Sequence, residues 1–423
     1  MIIYRLLKGL KPNDYCLISR ENYDTVSSQE EYTRRLPGPY YQLPPLFQVP
    51  QAFENWYGRS VGLGRRFVGV LARAHRRAFE NRLSRRLGLD SDFIDASVNI
   101  LSTAQRIASI IRRENCKAVV ACTAGDVYYL PASYLASRLA RVEFYPYIFD
   151  YYSHQWIDAK QRRLAERFEP TLIKGATGII APNEFMRDEL RRQYGVEATL
   201  IRNCCDLSLY ESSDAASPSD ASNGVEQQTG DERDNINKNE IGIVYTGALS
   251  EAHIEAFRNL LSALELLRRP AVTLHLYTAQ SPSALAEKGI KGPIVFHGHQ
   301  TVFAISTIQQ QADMLFLPLA FNSPYPDIIK TSAPVKMPDY LAAGRPILVH
   351  APADSFIAWY FREHECGLVV DEDDPTKLAD GIERLLCDAD LRRRISERAR
   401  ERAHADFSDE MARARFAQLL KLE

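Results

Sequence analysis

The chain has 423 residues, 45% hydrophobic and 25% charged, which excludes disordered, fibrous and membrane-spanning classes and at this length implies two domains. A formal net charge of −2 supplies no global pull toward nucleic acid, so nucleic-acid binding is not expected and any affinity for phosphate has to be local. The seven cysteines, Cys16, Cys116, Cys122, Cys204, Cys205, Cys366 and Cys387, form no CxxC pair and no His/Cys zinc spacing, so they read as buried thiols in a reducing compartment, with no metal expected.

In chain order, "MIIYRLLKGLKPND" has too short an apolar run for a signal peptide, and no run of about 18 apolar residues occurs anywhere. The expected location is the cytoplasm or the inner face of the membrane. In the first half, "DYCLIS", "AVVACT", "FYPYIF", "TGIIAP" and "ATLIRN" read as strands, with helices around 97–113 and 158–174. Residues 65–88 carry eight arginines, with Phe67, Leu71, Ala74, Ala78 and Phe79 at helical spacing. This segment fits either a basic helix lying on an anionic membrane or a helix packed on the first domain with its arginines in water. "FYPYIFDYYSHQWIDAK" ends a strand at about Asp150 and carries His154 into the next loop.

Residues 210–240 are rich in Ser, Asp, Asn and Gln and nearly free of apolar side chains. They read as a flexible linker or insertion that cannot offset its ordering entropy. Beyond it, apolar runs alternate with helical segments: "IGIVYTG", "EAFRNLLSALELL", "VTLHLYT", "PIVFHG", "VFAISTIQQQ", "ADMLFLPL", "VKMPDYLAAG", "RPILVHA", "SFIAWYFREH" and "CGLVV". Continuous apolar strands between amphipathic helices imply a parallel sheet covered on both faces. The tail reads as two helices, with Ser408 capping the second and Met411 at its N3 position.

The expected class is α/β, two Rossmann-like domains with parallel sheets facing across a cleft, where such sheets bind ligands at the carboxyl ends of their strands. The expected domains are 1–205, the linker 210–240, 241–405, and a last helix 406–423 packing back on the first domain. "SAPVKMPDYLAAGRPILVHAP" follows the loop leaving "ADMLFLPL". A helix starting near Pro334 or Val335 would aim unpaired N–H groups at an anion such as a diphosphate, with Lys336 adding charge in the first turn and Asp339 at i+3. A carboxylate suits paired ribose hydroxyls and repels phosphate. Charge and spacing alone are also satisfied by two solvated helix-surface residues.

Residues 241–423, from "IGIVYTGAL" through "VKMPDYLAAGRPILVHAP" to "CGLVVDEDDPTKLADGIERLL" and the tail, resemble the carboxyl-terminal domain of GT-B glycosyltransferases of the GT4 class, most specifically around Gly344. The resemblance implies transfer of a sugar from a nucleotide-diphosphate donor to a saccharide or lipid-linked saccharide, in polysaccharide or glycoconjugate synthesis, with no metal or other cofactor. It places the ribose on Asp339, the diphosphate by Gly247 and Lys336, and the base along the backbone at His297 and Gly298, with Ser332 and Val335 also among the donor-binding residues and Lys330 either a weaker candidate for the phosphates or a solvated loop charge.

The paired glutamates of many members read Thr331 and Asp339 here, so the sugar contact is altered; a subgroup with a lysine three positions before the acidic residue looks similar. "IIAPNEFMRDELRRQYGVEATLIRNCCDLSLY" resembles the end of the first domain, with "IRNCCD" replacing "IPNGVD". The family's first strand and Gly-rich loop would precede "YRLLKGL", so that strand is expected to be missing. The resemblance implies retention, with the donor phosphate assisting the acceptor and Asp150 and His154 contacting hydroxyls. Inversion would require Asp150 or His154 as general base. A sugar-nucleotide epimerase and an inactive nucleotide-sugar-binding protein share the architecture.

Overall fold

The computed structural model describes residues 2–21, 36–46, 91–211, 241–267 and 272–422. The basic segment 65–88 and residues 212–240 of the polar stretch lie outside the described residues. The chain opens with α1 (Ile2–Leu7), β1 (Leu17–Ser19) and β2 (Tyr40–Gln42), the two strands pairing in parallel. There follow α2 (Ser91–Arg113), β3 (Ala118–Cys122), α3 (Tyr129–Ala140), β4 (Glu143–Tyr147), α4 (Ala159–Lys174), β5 (Ile179–Ala181), α5 (Glu184–Tyr194) and β6 (Ala198–Leu200). Strands β3, β4, β5 and β6 form one parallel sheet in that order. A short α6 (Ser208–Glu211) ends this half.

The second half contains β7 (Ile241–Thr246), α7 (Glu251–Leu266), β8 (Val272–Tyr277), α8 (Pro282–Glu287), β9 (Ile294–His297), α9 (Val302–Gln311), β10 (Met314–Pro318), α10 (Pro326–Thr331) and α11 (Lys336–Ala343). It continues through β11 (Ile347–His350), α12 (Phe356–Glu363), β12 (Leu368–Val370), α13 (Pro375–Cys387), α14 (Ala389–Phe407) and α15 (Asp409–Leu420). Its sheet is parallel in the order β12, β11, β10, β7, β8, β9. The doubly wound order follows from the strand composition. Leu315 and Leu317 of β10 point into a core built with Met337, Tyr340, Phe356, Tyr360 and Phe407, while Met314 and Phe316 enter the opposite core with Phe257, Leu260, Ile382 and Ile395. Alternation along a strand buried on both sides demands apolar residues at every position.

Several elements differ from the sequence reading. α10 is a helix inside the segment read as the loop leaving "ADMLFLPL", with Pro326 in its first turn. α3 was not anticipated, because "YLPASYLASRLA" is apolar nearly all round and gives no polar face to set a helical period. β2 is too short to register as a strand. Helix ends follow local chemistry: Asp158 caps α4, Asn183 caps α5, and Ser408 caps α15 by accepting the Met411 N–H at 3.4 Å. Cysteines 204, 205 and 366 are buried, but Cys387, at the end of α13, is exposed, which corrects its reading as a buried thiol. Among the described residues no helix is long and apolar enough to cross a membrane.

The last helix crosses to the first sheet. Ala412 and Phe416 join Leu6, Tyr147, Ile180, Ile201 and Cys204 in one cluster, and Cys205 donates its N–H to the Phe407 carbonyl at 2.8 Å. Phe416→Ala should therefore lower unfolding stability by about 3–5 kcal/mol in denaturant melts. A loss below about 1 kcal/mol would mean that this contact does not hold the two halves together.

Candidate active site

The carboxyl ends of β4 and β10 face each other through their loops. His154, in the loop after β4, places Nδ1 3.0 Å from Asp327 Oδ2 at the start of α10. Asn183 Nδ2 donates to the Thr331 carbonyl at 2.8 Å, and Asn203 Nδ2 to the Ala333 carbonyl at 2.7 Å. The Arg162 guanidinium lies 5.2 Å above the Tyr325 ring. The first domain thus grips residues 325–333, the segment that aims α11.

Helix α11 begins at Lys336, just past the expected Pro334 or Val335, and Val335 itself is exposed. Lys336 Nζ donates to the Tyr245 hydroxyl at 2.9 Å and sits 4.6 Å from that ring's centroid. The Tyr245 hydroxyl donates onward to the Ala248 carbonyl at 2.9 Å. Gly247, at φ +116°, lies so close that a Cβ there would be 3.6 Å from Lys336 Cε. A side chain at that φ would be strained, and it would also fill the space in front of the ammonium.

A buried polar chain fixes this arrangement. Thr246 N–H donates to the Tyr340 hydroxyl at 3.0 Å, Gln309 Nε2 donates to Thr246 Oγ1 at 2.9 Å, and the Tyr210 hydroxyl donates to Gln309 Oε1 at 2.7 Å. Burial pulls the Lys336 ammonium down to about 8. Burial, with help from Lys336, pulls His253 down to about 3, so this histidine is neutral and adds no competing charge. Among the described residues Lys336 has no carboxylate partner, and a phenol does not neutralise an ammonium. An anion can.

Asp339 faces elsewhere. Its Oδ1 accepts from Arg5 Nη2 at 2.9 Å; the arginine is only 4% exposed and also donates to the Cys204 carbonyl. The field of Asp339 reaches Cys205 and Tyr210 in the crossover. Position i+3 shares a helix face with Lys336, but the buried Arg5 guanidinium requires a counter-charge and takes this carboxylate. Ribose hydroxyls would have to share this carboxylate with Arg5.

The remaining expected residues are spread over the rim. Asp150 is half-buried, its N–H directed at Thr123 Oγ1 at 3.4 Å. Its carboxyl group has no hydrogen-bond or ion-pair partner among the described residues, and burial pushes its pKa up. The His297 ring lies parallel to Tyr277 at 4.1 Å, with Nε2 3.0 Å from His275 Nδ1, while Gly298 opens onto free space. Ser332 sits in the turn between α10 and α11, donating its N–H to the Ile329 carbonyl at 3.4 Å. Lys330 is exposed, and its charge reaches Glu189 of α5 rather than Lys336. Thr331 is buried and donates its hydroxyl to the Asp327 carbonyl at 2.9 Å.

The family model described as Glycosyl transferases group 1 matches residues 240–388, and that of Glycosyltransferase Family 4 matches 62–209. The chain is a glycosyltransferase, with a family 4 domain followed by a group 1 domain. Solved structures share its GT-B fold at low identity. Anabaena HepE, in complex with UDP and glucose, is 15% identical over 100% of this chain and 95% of that one, with a TM-score of 0.63. A glycosyltransferase from Rickettsia africae ESF-5 is 14% identical over 96% and 90%, with a TM-score of 0.59. Sucrose-phosphate synthase from Thermosynechococcus elongatus is 15% identical over 76% and 77%, with a TM-score of 0.56. No curated protein matches the sequence.

Several residues of this glycosyltransferase's cleft went unread in the sequence: Tyr245, His253, Tyr340, Arg5 and Asp327. Tyr245 stands next to last on β7, close before Gly247, but nothing in the local sequence marks its hydroxyl as the partner of Lys336. Nothing local marks Asp327 as the partner of His154.

Because the folded-state pKa of Lys336 lies below its ordinary 10.5, the native state is penalised in full below about pH 8, and the penalty fades as pH rises from there toward 10.5. Lys336→Met should accordingly be more stable than the parent at pH 7, by about 3 kcal/mol, with the gap closing by pH 10.5. Denaturant melts across this range check the sign; a gap that widens with pH would contradict it.

Proposed function

We propose that this glycosyltransferase moves a sugar from a nucleoside-diphosphate sugar, uridine being the first base to test, onto a saccharide or lipid-linked saccharide in polysaccharide or glycoconjugate synthesis, without a metal ion. The observation that carries the reading is the Lys336 ammonium, held by Tyr245 against Gly247 with no carboxylate among the described residues to neutralise it. The first N–H groups of α11 add to its field. Together they would stabilise charge building on the departing diphosphate, an electrostatic contribution that needs no side-chain nucleophile. HepE, of like fold, was solved with UDP and with UDP-glucose, which supports a uridine donor.

In the retaining reaction proposed here, the acceptor hydroxyl passes its proton to the leaving phosphate on the same face of the sugar. Asp150 and His154 then orient hydroxyl groups. A second reading, inversion, is favoured by one specific feature: Asp327 holds His154 Nδ1 at 3.0 Å, which leaves Nε2 to take a proton in the manner of an oriented general base.

In thermal-shift measurements with UDP, GDP, ADP and their sugars, UDP should raise the melting temperature of the parent, and Lys336→Ala should lose most of that shift. Equal shifts in both proteins would remove the diphosphate from Lys336. NMR of the anomeric product should show retention, with Asp327→Asn lowering kcat by no more than about tenfold. An inverted product, with a loss of about a thousandfold or more in Asp327→Asn, would replace the retaining scheme by a His154 base. Transfer should also depend on ionised Asp150, so the acid limb of its pH profile should lie above the ordinary carboxylate range and vanish in Asp150→Asn.

A further inference from the structure

At the other edge of the second sheet, where β7, β10 and β11 begin, a cavity of about 560 Å³ opens between the strand ends and helices α13 and α14. Among the described residues its charged wall consists of Arg345, Arg392, Arg393 and Arg400, with the acids Asp313 and Glu397. Most of these groups are already engaged. Asp313 Oδ2 accepts the Gly242 N–H at 2.9 Å. Arg392 donates to the Leu385 and Leu386 carbonyls, closing the end of α13, and Arg393 pairs with Asp390 at 2.8 Å.

Arg345 and Arg400 are different. Arg345 spends its Nε on the Ala312 carbonyl, and burial, together with the neighbouring Arg400 charge, pulls its pKa below the ordinary value even though Asp313 acts in the opposite direction. Arg400 has no hydrogen bond or ion pair among the described residues. Its side chain lies directly over Gly344, at φ +61°, where any Cβ would collide with it. The glycine both ends α11 in the left-handed region and makes room for this guanidinium. Asp313 favours the Arg345 charge more than Arg400 opposes it, but its Oδ2 is already taken by the Gly242 N–H, and Arg400, exposed on the cavity wall, leaves a planar fork that matches the oxygens of a phosphate.

We propose that this cavity is a second anion site, which binds a small phosphate-bearing ligand between Arg345 and Arg400. It is separate from the cleft: Ile241 lines it, and Gly247, at the other end of β7, lies about 20 Å away at the usual rise per residue. The volume falls within the range of small-ligand pockets, roughly 300–1,000 Å³, which suits a phosphorylated metabolite or the headgroup of a phospholipid. The inference does not depend on the donor or acceptor proposed above.

The test uses the full chain carrying Lys336→Ala, so that binding in the cleft does not obscure the result. Titration calorimetry with inorganic pyrophosphate should show binding to this protein. Adding Arg400→Gln should weaken it by about tenfold or more, and Arg400→Lys, which keeps the charge but not the fork, by several-fold. Melting temperatures without ligand confirm that the variants fold. In a parallel arm, flotation with phosphatidylcholine vesicles containing or lacking phosphatidylglycerol distinguishes the sources. Binding to the anionic vesicles alone, lost in Arg400→Gln and without affinity for pyrophosphate, assigns the site to a lipid headgroup. If neither probe binds, or if binding is unchanged by Arg400→Gln, the site is refuted.

Discussion

The cleft depends on a half-buried ammonium that has no carboxylate beside it among the described residues. Removing a lysine charge from water is costly, and proteins ordinarily repay that cost with an acid. Here Lys336 receives only a phenol, at 2.9 Å, and the face of the same ring. Its positive charge is therefore held in position but left unneutralised. That is a poor arrangement for stability and a good one for meeting a diphosphate, and the neutral state of neighbouring His253 keeps the local field undivided.

The surrounding structure keeps that lysine still. Tyr340, one turn along α11, receives the Thr246 N–H, so the helix and the end of β7 move together. Gln309 and Tyr210 extend the same network to the crossover between the domains. Across the cleft, Asn183 and Asn203 hold backbone carbonyls of the segment leading into α11, and Asp327 meets His154. The Arg5–Asp339 pair adds a further tie between α1 and the second domain. Reacting groups on two domains keep a useful geometry only if such contacts define how the domains meet.

The parallel sheets were legible because strands buried on both faces have to be apolar at every position, as in "ADMLFLPL" and "RPILVHA". The pairing of Lys336 with Gly247 came from the family resemblance, because local sequence shows only a lysine at a helix start, which a solvated surface residue also satisfies. Contacts between residues far apart in the chain were not legible. Asp339 was read from its place in a helix turn, whereas its neighbour is Arg5, 334 positions earlier. Lys330 was a weaker candidate for the phosphates, yet it stands exposed in the last turn of α10, near enough to α5 for its charge to act on Glu189. α3 escaped notice because an apolar helix shows no period.

The central claim is that Lys336 is an ammonium waiting for phosphate, and the most direct measurement is the titration of that one side chain. NMR of ¹³C-labelled lysine, with the Lys336 Cε signal assigned by substitution, gives its pKa with and without saturating UDP. The account predicts a free value near 8 and a marked rise when UDP is bound, because a diphosphate favours the charged form. An ordinary free value that UDP leaves unchanged would contradict it.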